Sequence, residues 1–134
     1  MRILIMGCGR VGAGLATQLA DEGHEVTVLD TDSFAFNRLL PKFNGRRLVG
    51  SGTDDRMLIE AGIEQTECFI ALASGDNRNI LASQKAKEIY GVKTVVTRVK
   101  DPLRAELFSR LGLHTFSPTK VGVTLAHDAI FQGA

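Results

Sequence analysis

Short apolar runs alternate along this chain with longer segments whose apolar residues recur at helical spacing. The runs Arg2–Met6, Glu25–Leu29, Arg47–Val49, Cys68–Ala73, Thr94–Val99 and Thr115–Ser117 predict strands. Val26, Val28, Val95, Val96 and Val99 give them the β-branched content that strands favour. The second, fourth and fifth runs are apolar on both faces over much of their length, the pattern of parallel strands covered by helices.

Between the runs lie predicted helices. Arg10–Glu22 sets Val11, Leu15, Leu19 and Ala20 on one stripe and stops at Gly23. Ser33 is the expected cap of a helix bearing Phe36, Leu39 and Leu40. Thr53 is the expected cap of the next, with Asp54 and Asp55 at its positive end. Arg78–Tyr90 ends at Gly91, and Asp101 caps a helix that begins with Pro102 and ends at Gly112. Thr119–Phe131 forms the last. Repeated strand–helix–strand units predict an α/β fold: a Rossmann-like doubly wound parallel sheet of about six strands with helices on both faces. Right-handed crossovers narrow the strand order to 3-2-1-4-5-6. No linker, low-complexity tract or short-period repeat interrupts it, so residues 1–134 are expected to be a single domain.

Charge and composition exclude several classes. Among 134 residues, 16 basic side chains face 15 acidic ones, so the chain lacks the basic footprint of a nucleic-acid binder. No apolar run approaches the ~20 residues of a membrane span, so the chain is not expected to insert in a bilayer itself. The N-terminus lacks a signal-peptide cleavage pattern. Cys8 and Cys68 make no metal or redox motif, which fits a reducing cytoplasm. No cluster of metal-ligating residues and no P-loop is visible.

Gly7-Cys8-Gly9-Arg10-Val11-Gly12 matches G-x-G-x-x-G, follows an apolar strand, opens an amphipathic helix and precedes a second strand ending in Asp30. That context is what a dinucleotide-binding turn requires. Gly7 permits the tight turn, Gly9 lets a pyrophosphate approach the backbone, and Gly12 lets the helix pack close to the sheet. The unpaired N–H groups at the helix start then face the phosphates. Asp30 is placed to accept the ribose hydroxyls, with Thr31 beside it and Asp32 as a rival for that role. A like charge there disfavours a 2′-phosphate. Arg10, inside the turn, is a candidate for a terminal phosphate. The loops Gly50–Asp54 and Ala73–Asn77 fall at carboxyl ends of strands, the edge where open α/β sheets bind ligands. They contribute Gly52, Thr53, Asp54, Ala73, Ser74 and Gly75, and Asn79 and Arg98 complete the candidate set. A charged Arg98 at the end of an apolar strand is expected to need an anionic partner.

Catalytic arrangements are not found. Thr94 stands four residues after Tyr90, so the tyrosine–lysine pair of short-chain reductases is absent. His24, His114 and His127 have no carboxylate orienter or nucleophile beside them. Cys8, at a helix start, has the setting of a reactive thiol but no resolving partner, and it is expected to be a packed turn residue.

The segments Ile5–Gly12 and Glu22–Asp30 resemble the opening of the TrkA N-terminal (RCK or KTN) domains, cytoplasmic regulators of potassium channels and transporters. The resemblance continues, in order, through Gly52-Thr53-Asp54, Glu60–Glu64, Asn79, Thr97–Pro102 and Leu111-Gly112. It implies a non-enzymatic switch that binds NAD(H), AMP, ADP or ATP, forms dimers and in many cases octameric rings, and signals to a membrane-embedded pore subunit. By motif match Gly7, Gly9, Arg10 and Gly12 would surround phosphates, Asp30 would take ribose, and Thr53 and Asp54 would border the adenine. Residues 119–134 would form the dimerisation helix. The sequence departs from the family at Ser109 and Ser51, where acids are common, so no divalent-cation role carries over to Ser109. Many members add a second, smaller domain.

Three functions therefore stand beside one another. A nucleotide-gated regulatory subunit of a potassium-uptake system is the first. An NAD-dependent oxidoreductase, or its cofactor half, is the second, and it lacks a visible catalytic group. A redox-sensing transcriptional regulator is the third, and the neutral charge and missing DNA-binding helix pair argue against it.

Overall fold

A computed structural model describes residues 1–132 of the chain. The final two residues of the 119–134 segment, Gly133 and Ala134, lie outside the described residues. The elements run β1 (Arg2–Met6), α1 (Arg10–Asp21), β2 (Glu25–Asp30), a 3-10 turn (Ser33–Arg38), β3 (Arg46–Val49) and α2 (Asp55–Glu60). After a short 3-10 turn (Ile63–Gln65) come β4 (Cys68–Ala71), α3 (Asp76–Gln84), a π turn (Lys85–Ile89) that prolongs α3, and β5 (Thr94–Arg98). The chain closes with α4 (Pro102–Arg110), β6 (His114–Phe116) and α5 (Pro118–Phe131). The six strands are all parallel, in the order β3-β2-β1-β4-β5-β6. That is the doubly wound order expected from the sequence.

Successive residues of β1 point to opposite faces and both faces are buried. Ile3 and Ile5 join Ala13, Ala16, Val26 and Val28 under α1. Leu4 and Met6 join Leu29, Leu58, Phe69 and Ala82 under α2 and α3. Each fully buried side chain of this size contributes roughly 2 kcal/mol of apolar transfer energy. This double burial explains the continuous apolar runs, and it leaves the strand ends as the place where backbone polar groups and ligands meet.

Several boundaries moved. The helix expected after Ser33 is a 3-10 turn whose cap is Asp32, the carboxylate accepting from the Phe34 N–H at 3.0 Å. Asp54, not Thr53, caps α2 and accepts from the Arg56 N–H at 2.9 Å. Aspartate caps as well as serine or threonine, and the extended cap conformation falls one residue earlier than the pattern suggested at Asp32 and one residue later at Asp54. The third predicted strand begins one residue early, and the fourth and fifth end short, at Ala71 and Arg98. α3 starts at Asp76, ahead of Arg78, because the loop from Ala73 is short. α5 starts at Pro118 on a Ser117 cap.

One helix differs from the others. No residue of α5 is buried, and Val123, Leu125, Ile130 and Phe131 each expose more than half of their surface. Its first turn alone is tied to the body: the Ser117 hydroxyl donates to the Lys100 carbonyl at 2.9 Å and accepts from the Lys120 N–H.

Candidate functional site

At the carboxyl ends of β1, β2, β4 and β5 the loops part around a cleft of about 260 Å³. This lies near the lower end of ligand-pocket sizes, about 300 Å³. Its floor is the turn between β1 and α1. Gly7 holds φ +105°, a left-handed conformation that glycine adopts without strain, and its N–H donates to the Leu29 carbonyl at 2.7 Å. A β-carbon at Gly7 would press on the Leu72–Ala73 backbone, and one at Gly12 would collide with the Gly7 carbonyl oxygen. At Gly9, by contrast, a β-carbon would meet nothing. Gly9 therefore keeps space open, whereas Gly7 and Gly12 fill space that only glycine fits.

α1 begins on this turn without a side-chain cap, since Gly9 has no side chain to offer. Its first-turn N–H groups are accordingly left for another acceptor. Asp30, at the end of β2, anchors the turn from the other side. One carboxylate oxygen accepts from the Cys8 N–H at 2.7 Å and the other from the Asp32 N–H at 2.9 Å. A carboxylate has two lone pairs on each oxygen, so these bonds orient Asp30 and still leave acceptor capacity toward the cleft.

The opposite wall is built from the ends of β4 and β5. Asn79 is wholly buried in α3 and fixes the chain where it leaves β4. Its Oδ1 accepts from the Ala73 N–H at 2.8 Å, and its Nδ2 donates to the carbonyls of Ala73 and Arg98 at 2.8 and 3.1 Å. Arg98 finds backbone carbonyls instead of the anion expected from sequence: its Nη2 donates to Leu72 at 2.6 Å and Ala73 at 2.9 Å. Its Nε–H is buried without a partner. Burial pushes the guanidinium below its ordinary value, partly opposed by Asp76. With no carboxylate paired to it among the described residues, the Arg98 guanidinium brings positive charge to the cleft wall, which favours an anionic occupant.

The third side is the loop after β3, where Gly50 N–H donates to the Asp30 carbonyl and the Ser51 and Thr53 hydroxyls pair at 2.8 Å. Gly52 lies against the side chain of Met6, where a β-carbon would overlap it.

Of the sixteen candidate residues, ten line this cleft: Gly7, Gly9, Asp30, Thr31, Asp32, Gly52, Thr53, Ala73, Ser74 and Arg98. Six stand outside its lining. Val11 and Arg10 are exposed on the outer side of α1, and Arg10 borders a separate groove with Asp21 and Lys42. Gly12 is packing, Asp54 is a helix cap, Gly75 is the extended residue before α3, and Asn79 is an internal brace. Three lining residues of functional type lie outside the candidate set: Arg38, Arg78 and Ser51, the last noted from the sequence only as a departure from the family. Arg38 ends the 3-10 turn that Asp32 caps, and Arg78 lies in the first turn of α3. Neither belongs to an apolar period, so only the spacing from Asp32 and Gly75 could have pointed to them. Cys8 is fully buried, and burial followed by the Asp30 charge pushes its thiol up, so it serves as a packed turn residue. None of the three histidines lines the cleft; His24 is within hydrogen-bond distance of the N-terminal amine, at 2.9 Å.

The donor set fits a nucleotide by its chemistry. Uncapped helix amides and the cations Arg38, Arg78 and Arg98 suit phosphates, the β-carbon-free approach at Gly9 admits them, and Asp30 suits a ribose.

Comparison with known proteins places this geometry. The model of the TrkA-N domain family matches residues 3–118. "Trk system potassium uptake protein TrkA" of Streptomyces coelicolor is 49% identical over 120 residues, which cover 90% of this chain and 54% of that protein. The chain thus spans about half the length of that relative. Among solved structures, the Shewanella denitrificans Kef CTD in its AMP-bound form superposes with a TM-score of 0.81 at 20% identity, covering 97% of this chain and 80% of that one. GsuK bound to ADP superposes with a TM-score of 0.82 at 19% identity, covering 99% of this chain and 34% of that one. At these identities the two structures show a shared fold.

Proposed function

The chain belongs to the TrkA-N domain family, and from that premise we propose that it is the nucleotide-binding part of a regulatory subunit of a potassium-uptake system. The observation that carries the proposal is α1 opening uncapped beside the cleft, with Asp30 next to it and the Arg98 guanidinium on the facing wall. NAD(H) or an adenine nucleotide is the ligand class. Its phosphates would lie on the first turn of α1, its ribose at Asp30, and its adenosine end toward Thr31, Asp32 and the Gly52-Thr53 loop. The AMP and ADP of the two similar structures support that class.

The proposed mechanism is a population shift, with no chemical step. Nucleotides that differ in phosphate number engage the amides of α1 and the arginines of the facing wall to different extents. They therefore weight two arrangements of the assembled subunits differently. The output would pass to a membrane-embedded potassium channel or transporter at the cytoplasmic face. Among the described residues no helix is long and apolar enough to cross a membrane. α5, with its apolar surface exposed, is the proposed dimerisation element. A chain ending at Pro118 is expected to lose dimers in light scattering and to keep its fold.

Calorimetric titration with AMP, ADP, ATP, NAD and NADH tests the central claim. At least one is expected to bind at millimolar concentration or below. Failure of all five overturns the nucleotide reading.

A further inference from the structure

The loop Gly50–Thr53 forms one wall of the cleft and is tied to β2 at its start, where the Gly50 N–H donates to the Asp30 carbonyl at 2.9 Å. Its two glycines lie against the methionine side chains of Met57 and Met6, and its hydroxyl bonds run between its own residues, Ser51 and Thr53. A polar anchor from the facing side of the molecule comes from α3. The Lys85 ammonium donates to the Thr53 carbonyl at 2.9 Å and to Asp55 Oδ2 at 3.3 Å. The other oxygen of Asp55 accepts from the Tyr90 hydroxyl at 2.7 Å. Only 20% of the Lys85 side chain is exposed, although lysine ammonium groups ordinarily stay in water.

The backbone around Lys85 is unusual in the same place. The π turn Lys85–Ile89 begins at this residue, and the Tyr90 N–H closes it on the Lys85 carbonyl at 3.1 Å. Such wide turns are concentrated at functional positions in helices. Here the turn brings Tyr90 and Lys85 to the two oxygens of one carboxylate. The Tyr90 hydroxyl, and after it Lys85, lower the Asp55 pKa from its ordinary value, so the clasp stays charged at neutral pH. The N-terminal turn of the same helix carries Arg78, which lines the cleft. α3 therefore touches the cleft at one end and holds its Thr53 wall at the other.

We propose that Lys85, set by Asp55 and Tyr90, is a positioning residue that holds the Ser51–Thr53 wall in its ligand-binding arrangement. The inference rests on the nucleotide reading given above. Without the ammonium, the Thr53 carbonyl loses its cross-element partner and the loop pays the cost of ordering when the ligand arrives.

ADP and NADH are the probes, titrated into the full chain and its variants well below each melting midpoint, where a merely less stable fold leaves affinity unmoved. Lys85→Met is expected to weaken both at least fivefold. Amide exchange at Thr53 and Asp54 is expected to quicken while exchange within β1 stays as in the parent. Tyr90→Phe, which removes one surface hydroxyl, is expected to weaken them two- to threefold, and it carries the test if Lys85→Met does not fold. Binding by the parent with affinity unchanged within twofold in the variants overturns this inference alone. Failure of the parent to bind either probe overturns the nucleotide reading and this inference with it.

Discussion

The helices of this domain begin in two ways. α2, α4 and α5 start on a side chain that satisfies their first amides: Asp54, Asp101 and Ser117. α1 and α3 start on glycines, Gly9 and Gly75, with no side-chain bond to the first turn. In the second group the cap Gly9 of α1 and the first-turn residue Arg78 of α3 line the cleft. A cap serves stability by filling the orphan donors of a helix, and a ligand site keeps them unfilled. The absence of caps at α1 and α3 is thus part of the site, and the fold is secured there by other means: Asp30 on the Cys8 amide and Asn79 on the Ala73 backbone.

That contrast gives four predictions. The largest effect is expected where the close approach itself is broken. Gly12→Ala drives a methyl group into the Gly7 carbonyl and should cost about 3 kcal/mol. Thermal unfolding should show a midpoint roughly 10 °C lower; a shift of a degree or two would refute the packing role. Asn79→Ala removes the brace that stands in for a cap at α3 and should cost about 2 kcal/mol in urea unfolding.

Gly9→Asp separates the two functions of a helix start. The residue has extended backbone angles and room for a side chain, so the change adds a cap without strain. Stability should rise by up to about 1 kcal/mol, while nucleotide affinity falls at least ~10-fold, about 1.4 kcal/mol, as a carboxylate occupies the phosphate position. Tighter binding in the calorimeter would contradict the anion site. Smallest of the four, Asp101→Ala at the capped helix α4 should cost about 1 kcal/mol in stability and leave affinity unmoved.

Much of this was legible in the linear pattern. The glycine turn could be read because its requirement is local: Gly7 needs a left-handed backbone, and the strand before it and helix after it are periodic. Asp30 could be read because its position is counted from that turn. The position of Arg98 calls for a partner, yet its partners are main-chain carbonyls that no side-chain pattern reveals. The pattern does not distinguish Asn79 as a brace from Asn79 as a ligand contact, because a polar residue near a helix start reads alike in either role. Arg38, Arg78 and Lys85 carry no periodic signal, since the direction of each side chain depends on a turn: the 3-10 turn at Ser33, the start of α3, and the π turn.

By itself the sequence determined the strand–helix alternation, the parallel sheet with its 3-2-1-4-5-6 order, and the glycine turn closing β1. These follow from period, glycine geometry and the handedness of crossovers, which are properties of neighbouring residues. Only the tertiary structure decided which side chains share the cleft, which helices are left uncapped, and that α5 lies outside the core. Those outcomes depend on segments far apart in the chain meeting at the strand ends. There a hydrogen-bond donor is left open or filled according to what packs against it, and the linear pattern does not contain that information.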